Sequence, residues 1–194
     1  MTPLTETAHR LIRSVLKPGG IAIDATVGNG FDTQCLAECV RPAGTVYGFD
    51  VQAAALDVTS QRLASVGLSH VVWLLRSHAE MSDCIPAVHH GRVNAMMWNL
   101  GYLPGGDKRL ATQTNSTLAS IRCGLSLLAK GGIITVLAYT GHPGGADEAD
   151  AVEVLLRDAN PAMFDFHEAS PAPAKIRAPR LFVVMRRGPA QPTL

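Results

Sequence analysis

Two acids and two glycines lie just beyond the first two hydrophobic runs of the chain, in "IDATVGNGFDT" and "YGFD". Gly28 and Gly30 lack side chains, so the backbone there can approach a ligand closely, and the helix predicted after them offers unpaired N–H groups. Asp24 ends the first run, and Asp50 ends the second, where an acid can accept hydrogen bonds from both hydroxyls of an adenosine ribose. Together these residues predict a nucleoside-containing cofactor.

The glycine loop differs from the dinucleotide-binding pattern G-x-G-x-x-G. Thr26 takes the place of the first glycine, and Asp32 and Thr33 follow the last one. An acid at a helix start repels pyrophosphate but suits a cationic or zwitterionic ligand. The loop therefore fits S-adenosylmethionine, whose sulfonium and ammonium groups are positive and whose ribose is free. An ordinary tight turn, in which the first acid only caps the turn, is the alternative interpretation.

His78 follows the third hydrophobic run, "VVWLL", in the segment "RSHAEM". The carboxyl ends of parallel strands meet at one edge of a sheet, so this loop is expected at the same face as the glycine loop. We expect His78 and Ala79 to line the adenine of the cofactor. A histidine whose ring is bonded within the fold is the alternative.

The segment "NLGYLPGGDK" begins where the fourth hydrophobic run ends. It resembles the Asn-Pro-Pro-Tyr loop of amino-group methyltransferases, with Leu100 and Gly101 in place of the two prolines. The resemblance implies that the Asn99 amide oxygen and a following backbone carbonyl accept hydrogen bonds from the target N–H groups. It also implies that Tyr102 stacks on the base that carries the amine. A strand ended by a glycine and proline turn, with a satisfied asparagine, is the alternative.

An alkylamine acceptor would be largely protonated near pH 7, as lysine is, so the site must favour its neutral form or remove the proton. Asp107, Tyr139 and His142 are the candidates, because all three are predicted in loops at the same face. Histidine is the side chain best suited to take up a proton near neutral pH. His142 could instead bond to backbone, and Asp107 could cap a helix or pair with Lys108, a candidate phosphate ligand or a solvated lysine.

Helical and strand-like segments alternate along the chain. An N-terminal helix is predicted over residues 3–17, where apolar residues recur at helical spacing. Short runs rich in β-branched residues then alternate with helical segments, which indicates βαβ units and a parallel sheet covered on both faces. "MFDFHEA" and "RLFVVMRR" close the chain with no helix between them, so they are expected to pair as an antiparallel hairpin at the sheet edge.

These elements predict one α/β domain over residues 1–194, with its core at 20–188. The expected fold is Rossmann-like, of the class I methyltransferase type, with a seven-stranded, mostly parallel sheet and helices on both faces. The chain is 47% hydrophobic and 17% charged, which is typical of a globular domain with a substantial core. No apolar run approaches the ~20 residues that a membrane helix needs.

The four cysteines are scattered without metal-ligand spacing, so we expect reduced thiols, no metal site and a cytoplasmic location. The formal net charge is +1, but the segment from Pro171 onward is basic and has no acid. This segment could form an electrostatic footprint for nucleic acid, or a solvated tail and strand edge. Its basic residues are Lys175, Arg177, Arg180, Arg186 and Arg187.

Four motifs, "DATVGNGFDT", "GFDVQ", "NLGYLPGGDK" and "YTGHPGGADE", together resemble the class I methyltransferases of the rRNA methylase family. The similarity runs from about Leu4 to Arg187. It implies that a set of nine residues surrounds the cofactor: Asp24, Thr26, Gly28, Asn29, Gly30, Asp32, Thr33, Asp50 and Gln52. It further implies that the segment 99–103 bridges cofactor and substrate, with Asn99 and Leu100 toward the cofactor and Gly101 and Leu103 toward the substrate.

The same family is associated with the tRNA methyltransferase that completes 5-methylaminomethyl groups on wobble uridine. The resemblance therefore implies an N-methyltransferase that acts on the 5-aminomethyl group of tRNA wobble uridine, in the anticodon region. Methylation of rRNA or of a small-molecule amine, and a cofactor-binding module without catalysis, are the alternatives. The loop 170–179 departs from the Asn- and Pro-rich lead-in expected of the family, and homodimerisation is compatible with the sequence.

Overall fold

The computed structural model describes residues 3–102, 111–170 and 178–188, which build an α/β fold around one sheet. The strands are β1 (Ile21–Asp24), β2 (Thr45–Asp50), β3 (Val71–Leu75), β4 (Val93–Leu100), β5 (Leu128–Ala138), β6 (Phe164–Glu168) and β7 (Arg180–Arg186). The helices are α1 (Leu4–Val15), α2 (Phe31–Val40), α3 (Ala53–Ser65), α4 (Met81–Cys84), α5 (Thr114–Leu127) and α6 (Gly145–Arg157). Short 3₁₀ turns at His78–Glu80 and Ala87–His89 flank α4.

The strand order is β3-β2-β1-β4-β5-β7-β6, and the strands β1 to β5 run parallel. The order reverses between β1 and β4, so the carboxyl ends of these two strands mark the point where ligands bind in open α/β sheets. The predicted Rossmann-like fold is confirmed. The antiparallel pair β6 and β7 is also confirmed, although β7 lies inside the sheet between β5 and β6, so that β6 alone forms this edge and β3 forms the other.

Both faces of the sheet are covered by helices. On one face, Phe49, Met96 and Trp98 lie in a buried cluster that includes Ile121 from α5 and Val152 from α6. On the other face, Ile12 of α1 packs with Leu36 of α2 and with buried strand residues. The N-terminal helix therefore buries its apolar stripe against its own sheet.

Two features of the elements carry no clear signal in the sequence. Glycines often follow the end of a helix, but α5 ends at Leu127 and β5 has begun by Leu128, before Gly131 and Gly132. The register explains this, because Val93 pairs with Leu128 while Ala95 pairs with Ile133, so the glycines lie in a bulge of the strand. The four-residue helix α4 was not predicted, because so short a run carries no periodic signal.

The basic residues of the C-terminal segment that the structure describes are bonded within the fold. The Arg180 side chain is only 17% exposed and donates hydrogen bonds to the carboxylates of Asp150, Glu153 and Glu168. Arg186 donates to the Leu128 carbonyl and Arg187 to Asp165. These contacts favour the strand-edge interpretation over a nucleic-acid footprint for the described part, and Lys175 and Arg177 lie outside the described residues.

Arg180→Ala is expected to lower the free energy of unfolding by about 2 kcal/mol, since the carboxylates around it lose charge-assisted hydrogen bonds. Arg187→Ala is the matched control, because its ion pair with Asp165 is 54% and 57% exposed. Such a surface pair contributes about 0.5 kcal/mol or less. Urea unfolding of both variants measures the difference, and equal losses would show that the Arg180 cluster is not a stabilising feature.

The same cluster predicts a pH dependence. The hydrogen bonds from Arg180 lower the pKa of Glu153 and of Glu168 from the ordinary value of 4.5. A carboxylate whose pKa is lowered by folding stabilises the fold at pH values above its ordinary pKa. This stabilisation is lost as the pH falls through the pKa of the folded state. The stability difference between the natural protein and Arg180→Ala should therefore be complete at neutral pH and shrink on acidification below the ordinary value. A difference that grows on acidification contradicts the account.

Candidate functional site

A cavity of about 1070 Å³ opens at the carboxyl ends of β1, β2, β4 and β5. Its walls are the loop after β1, the end of β2, the turn at His78, the end of β4 and the loop 139–142. The volume lies just above the range of roughly 300–1,000 Å³ that is usual for small-molecule sites. The cavity can therefore hold a nucleoside cofactor together with part of a second molecule.

Glycine is required in the loop after β1. Gly28 and Gly30 have φ values of +50° and +73°, in the left-handed region that favours glycine. A Cβ atom at Gly30 would lie 2.1 Å from the Thr59 Cγ2 atom of α3, so no side chain fits there. Helix α3 also holds the loop through Arg62, which donates to the Asn29 carbonyl at 2.9 Å. Backbone atoms thus form this wall of the cavity, as predicted for Gly28, Asn29 and Gly30.

Asp50 lies on the cavity wall beside that loop. One carboxylate oxygen accepts the Gly28 N–H at 2.8 Å, and the other accepts the Gln52 N–H at 2.9 Å. A carboxylate has about four acceptor positions, so each oxygen retains capacity for another donor. Asp50 can therefore fix the glycine loop and still accept ribose hydroxyls, and Gln52 lines the same wall.

Asp24 and Thr33 lie behind the wall and do not line the cavity. The Asp24 carboxylate accepts the Thr26 N–H at 3.0 Å and the Thr33 hydroxyl at 2.5 Å. Burial, and next the charge of Asp32, raise the pKa of Asp24 to about 7. Asp24 and Thr33 can therefore act on a ligand only through the loop and helix start that they hold, which is the indirect form of the predicted contact.

Asp32 does line the cavity, at the first turn of α2. Its carboxylate is bonded to the Nε2 atom of His9 on α1 at 2.6 Å, and both side chains are largely buried. A carboxylate in this position suits the ammonium group of an amino-acid moiety. The sequence analysis did not identify His9, since nothing in its sequence pattern pairs it with a residue 23 positions away.

His78 presents an unpartnered acceptor at the cavity wall. Its Nδ1 atom lies 3.1 Å from the Ala25 carbonyl, which can only accept, so the ring proton is on Nδ1. The Nε2 atom is buried and has no hydrogen-bond partner within the described residues. Burial lowers the pKa of His78 and so favours the neutral ring. An acceptor of this kind fits the exocyclic amino group of adenine, so the contact of His78 with adenine stays a prediction.

The end of β4 brings Asn99 to the cavity, directly beside the glycine loop. The Asn99 N–H donates to the Thr26 hydroxyl at 2.7 Å, so the two loops are linked. The Asn99 side-chain amide has no hydrogen-bond partner within the described part of the chain. The Leu100 carbonyl accepts the Tyr139 N–H at 3.1 Å. The backbone of Asn99 is thus fixed, and its amide is available to a ligand.

Gly101 is held by a residue that the sequence analysis did not identify. The Gly101 N–H donates to the Thr112 hydroxyl at 3.0 Å, and the Gly101 carbonyl accepts the Thr112 N–H at 2.8 Å. The Thr112 hydroxyl in turn donates to the buried carboxylate of Glu148 at 2.7 Å. The segment that follows β4 is therefore tied to helix α6.

Tyr102, Tyr139 and His142 all line the cavity, and Tyr139 and His142 lie close to Gly101. The Tyr102 and His142 rings meet edge to face with centroids 5.9 Å apart. The His142 Nδ1 atom lies 3.1 Å from the Pro143 carbonyl and must donate, which leaves Nε2 as a buried acceptor without a hydrogen-bond partner in the described residues. His142 therefore carries an acceptor without a partner close to the cavity, and this Nε2 atom lies next to Gly145 with almost no exposed surface.

The remaining predicted site residues are not described by the structure. Leu103, Asp107 and Lys108 lie in the segment 103–110, and Lys175 and Arg177 lie in 171–177, both outside the described residues. The residues that directly follow segment 171–177 do reach the site. Pro179 lines the cavity, and the Thr140 hydroxyl donates to the Ala178 carbonyl at 3.0 Å. Among the described residues, no group of His, Cys, Asp and Glu could hold a metal ion. Nor is any described helix both long enough and apolar enough to span a bilayer.

Three comparisons relate this chain to known proteins. The model of the family described as "Putative rRNA methylase" matches residues 46–185. The chloroplastic tRNA (mnm(5)s(2)U34)-methyltransferase of Arabidopsis thaliana is 36% identical over 160 residues, which cover 78% of this chain and 58% of that protein. This chain therefore spans little more than half the length of that relative.

Two solved structures match over nearly the whole chain. A Clostridium thermocellum protein described with the same family phrase has a TM-score of 0.90 at 32% identity, with 96% of this chain and 98% of that chain covered. A Streptococcus mutans protein, assigned as a methyltransferase and crystallised in complex with S-adenosylhomocysteine, has a TM-score of 0.85 at 30% identity, with 96% and 99% covered.

The residues of the cavity fit S-adenosylmethionine. Asp50 offers acceptors for the ribose hydroxyls, His78 Nε2 offers a buried acceptor for adenine, and Asp32 offers a carboxylate for the ammonium group. The backbone of the glycine loop lies on the cavity wall, so a ligand can approach it closely. The ribose, the adenine and the ammonium group of the cofactor thus each have a complementary group among the residues at the cavity.

Asp50→Ala is expected to weaken S-adenosylmethionine binding about tenfold to a hundredfold, because hydrogen bonds to a charged acceptor are lost. Calorimetry on the purified variant measures the affinity. Asp57→Ala, which removes an exposed carboxylate of α3 outside the cavity, is the control and should bind as the natural protein does. Unchanged affinity in Asp50→Ala would rule out the ribose assignment.

Proposed function

The chain belongs to the rRNA methylase family and its cofactor is S-adenosylmethionine, and on this premise we propose that it methylates an amino nitrogen of RNA. The proposed substrate is the 5-aminomethyl group of the wobble uridine in the anticodon region of tRNA, which becomes 5-methylaminomethyluridine. The chloroplastic relative, whose name specifies a tRNA U34 methyltransferase, supports this substrate.

The position of Asn99 is the observation that carries the proposal. Its backbone is fixed by the hydrogen bond to Thr26 of the cofactor loop, the residue lines the cavity, and its side-chain amide has no hydrogen-bond partner in the described residues. An amide oxygen held there can accept a hydrogen bond from the target N–H and so direct the nitrogen lone pair at the methyl carbon. A cofactor-binding module without catalysis has no need of a fixed acceptor beside the cofactor loop.

Exposed aromatic rings surround the mouth of the cavity, which supports a nucleobase as the substrate. Among the described phenylalanine, tyrosine and tryptophan residues, Phe31 is 61% exposed, Tyr139 41% and Tyr102 38%, and all three line this cavity. Aromatic rings in such positions stack on unpaired bases. The Arg62 guanidinium lies 5.0 Å above the Phe31 ring, where it also provides positive charge for a nearby phosphate.

The chemistry requires orientation and the removal of one proton. Bound S-adenosylmethionine supplies an electrophilic methyl group on a sulfonium. In its ammonium form the target nitrogen must first lose a proton, so that its lone pair is free. The nitrogen then forms a bond to the methyl carbon as the carbon–sulfur bond breaks, and S-adenosylhomocysteine leaves. Asn99 orients the amine, Tyr102 stacks on the base, and His142 of the cavity wall takes up the proton.

Methylation of rRNA is the second candidate, because the family description names rRNA. Both substrates would use the same amide acceptor and stacking rings, so the cavity alone does not separate them. A cytoplasmic location and a homodimer also belong to the proposal. All four cysteines are free, which fits a reducing compartment, while the tRNA-modifying relative is chloroplastic.

The substrate proposal is tested with tRNA from cells that lack this gene. The RNA is incubated with purified protein and S-adenosylmethionine, and its nucleosides are analysed by mass spectrometry. A gain of one methylene on 5-aminomethyluridine is the expected result. If the gain appears only on rRNA, the tRNA proposal is wrong, and the second candidate replaces it.

Asn99→Ala is expected to abolish methyl transfer while it leaves the affinity for S-adenosylmethionine within a fewfold, because the side chain acts on the amine. Asn99→Asp keeps an acceptor oxygen at the same place and should retain part of the activity. Steady-state kinetics and calorimetry separate the two effects. Equal loss of turnover and cofactor binding in Asn99→Ala would mean that Asn99 is structural.

A further inference from the structure

We propose that Thr112 and Glu148 are positioning residues that hold the substrate loop, Asn99 to Tyr102, in its working conformation. This inference rests on the proposed function, in which that loop holds the target amine. Neither residue needs to touch the reacting atoms. Their role is to fix the backbone of Gly101. Asn99, which offers the amide acceptor, precedes Gly101 in the loop, and Tyr102, which offers the stacking ring, follows it.

The hydrogen bonds that link Gly101, Thr112 and Glu148 each have a defined donor and acceptor. A carboxylate can only accept, so the Thr112 hydroxyl proton points to Glu148 Oε2 at 2.7 Å. The Thr112 oxygen is then free to accept the Gly101 N–H at 3.0 Å, while the Thr112 N–H donates to the Gly101 carbonyl at 2.8 Å. Both polar groups of Gly101 are thus bonded to one residue, and the carboxylate fixes the direction of that residue's hydroxyl.

The burial of Glu148 is the second observation. The side chain is 2% exposed, and its other oxygen accepts the Thr117 hydroxyl of α5 at 2.7 Å. Burying a carboxylate is unfavourable unless its hydrogen bonds are satisfied. Glu148 lies in the first turn of α6, where the helix dipole favours a negative charge. A carboxylate kept in this environment serves as a fixed anchor for the two threonines.

These hydrogen bonds of Gly101, Thr112 and Glu148, which we call the clamp, also explain why the loop of this chain differs from Asn-Pro-Pro-Tyr. A proline would lock φ near −65° and would lack an N–H. Gly101 instead has a φ of +152°, and its N–H is the donor to Thr112. The rigidity that proline rings supply in the related loop is supplied in this chain by hydrogen bonds to Thr112.

Thr117 offers a matched control for the test. Thr112→Val and Thr117→Val each remove one hydroxyl from the same Glu148 carboxylate, so they should destabilise the fold to a similar degree. Only Thr112→Val also removes the acceptor for the Gly101 N–H. A purely structural role of the cluster predicts the same behaviour from both variants, whereas the clamp predicts a difference.

Kinetics give the first readout. Thr112→Val is expected to lower kcat about tenfold to a hundredfold, since small misplacements of a positioning group have effects of that size. Its affinity for S-adenosylmethionine should stay within about twofold, Thr117→Val should keep most of the turnover, and Thr112→Ser should restore it because the hydroxyl returns. Equal loss of turnover in the two valine variants would overturn the proposal, as would failure of the serine variant to restore it.

Hydrogen exchange gives a second readout that needs no substrate. The Gly101 amide should exchange faster in Thr112→Val than in Thr117→Val or the natural protein, because its acceptor is gone. The exchange measurement stays informative if tRNA proves not to be the substrate. It therefore separates an error in the proposed clamp from an error in the proposed function. Equal protection of Gly101 in both valine variants would overturn the clamp.

Discussion

The hydrogen bond between the Asn99 N–H and the Thr26 hydroxyl, 2.7 Å long, is the contact on which the organisation of the site depends. It connects the loop after β1, which we assign to the cofactor, with the end of β4, which we propose holds the substrate. The sheet makes the contact possible, because β1 and β4 are adjacent and parallel, and the Ala25 N–H extends their pairing by donating to the Met97 carbonyl at 2.9 Å. Strand order thus brings two segments that are distant in the sequence to within one hydrogen bond of each other.

Much of the site could be predicted because its residues directly follow hydrophobic strands. Gly28, Gly30 and Asp50 are local features, and a parallel sheet places the carboxyl ends of its strands along one edge, so their convergence follows from the fold class alone. The same logic placed His78 and Asn99 at the cavity. Sequence could not separate a direct from an indirect role for Asp24, because that depends on whether the side chain points toward the loop or the cavity.

The residues that were missed act through side-chain pairs across elements. His9 reaches Asp32 from α1, and Glu148 reaches Thr112 from α6, and neither partner carries a local motif that names the other. Charge alone likewise left two interpretations of the basic C-terminal segment open, and the carboxylates of α6 and β6 around Arg180 favour a strand edge for its described part. Side-chain pairs of this kind can be identified only when helix orientation and strand order are known. The position of β7 inside the sheet is likewise a matter of strand order.

The central claim is that Asn99 holds the target amine beside the cofactor. The most direct measurement is a crystal structure of the protein with S-adenosylhomocysteine and an anticodon stem-loop that carries 5-aminomethyluridine. The account predicts the amine nitrogen about 3 Å from the Asn99 amide oxygen, with the uracil ring stacked on Tyr102. A uridine bound outside the cavity, or an Asn99 amide bonded to the protein and turned away from the amine, would contradict it.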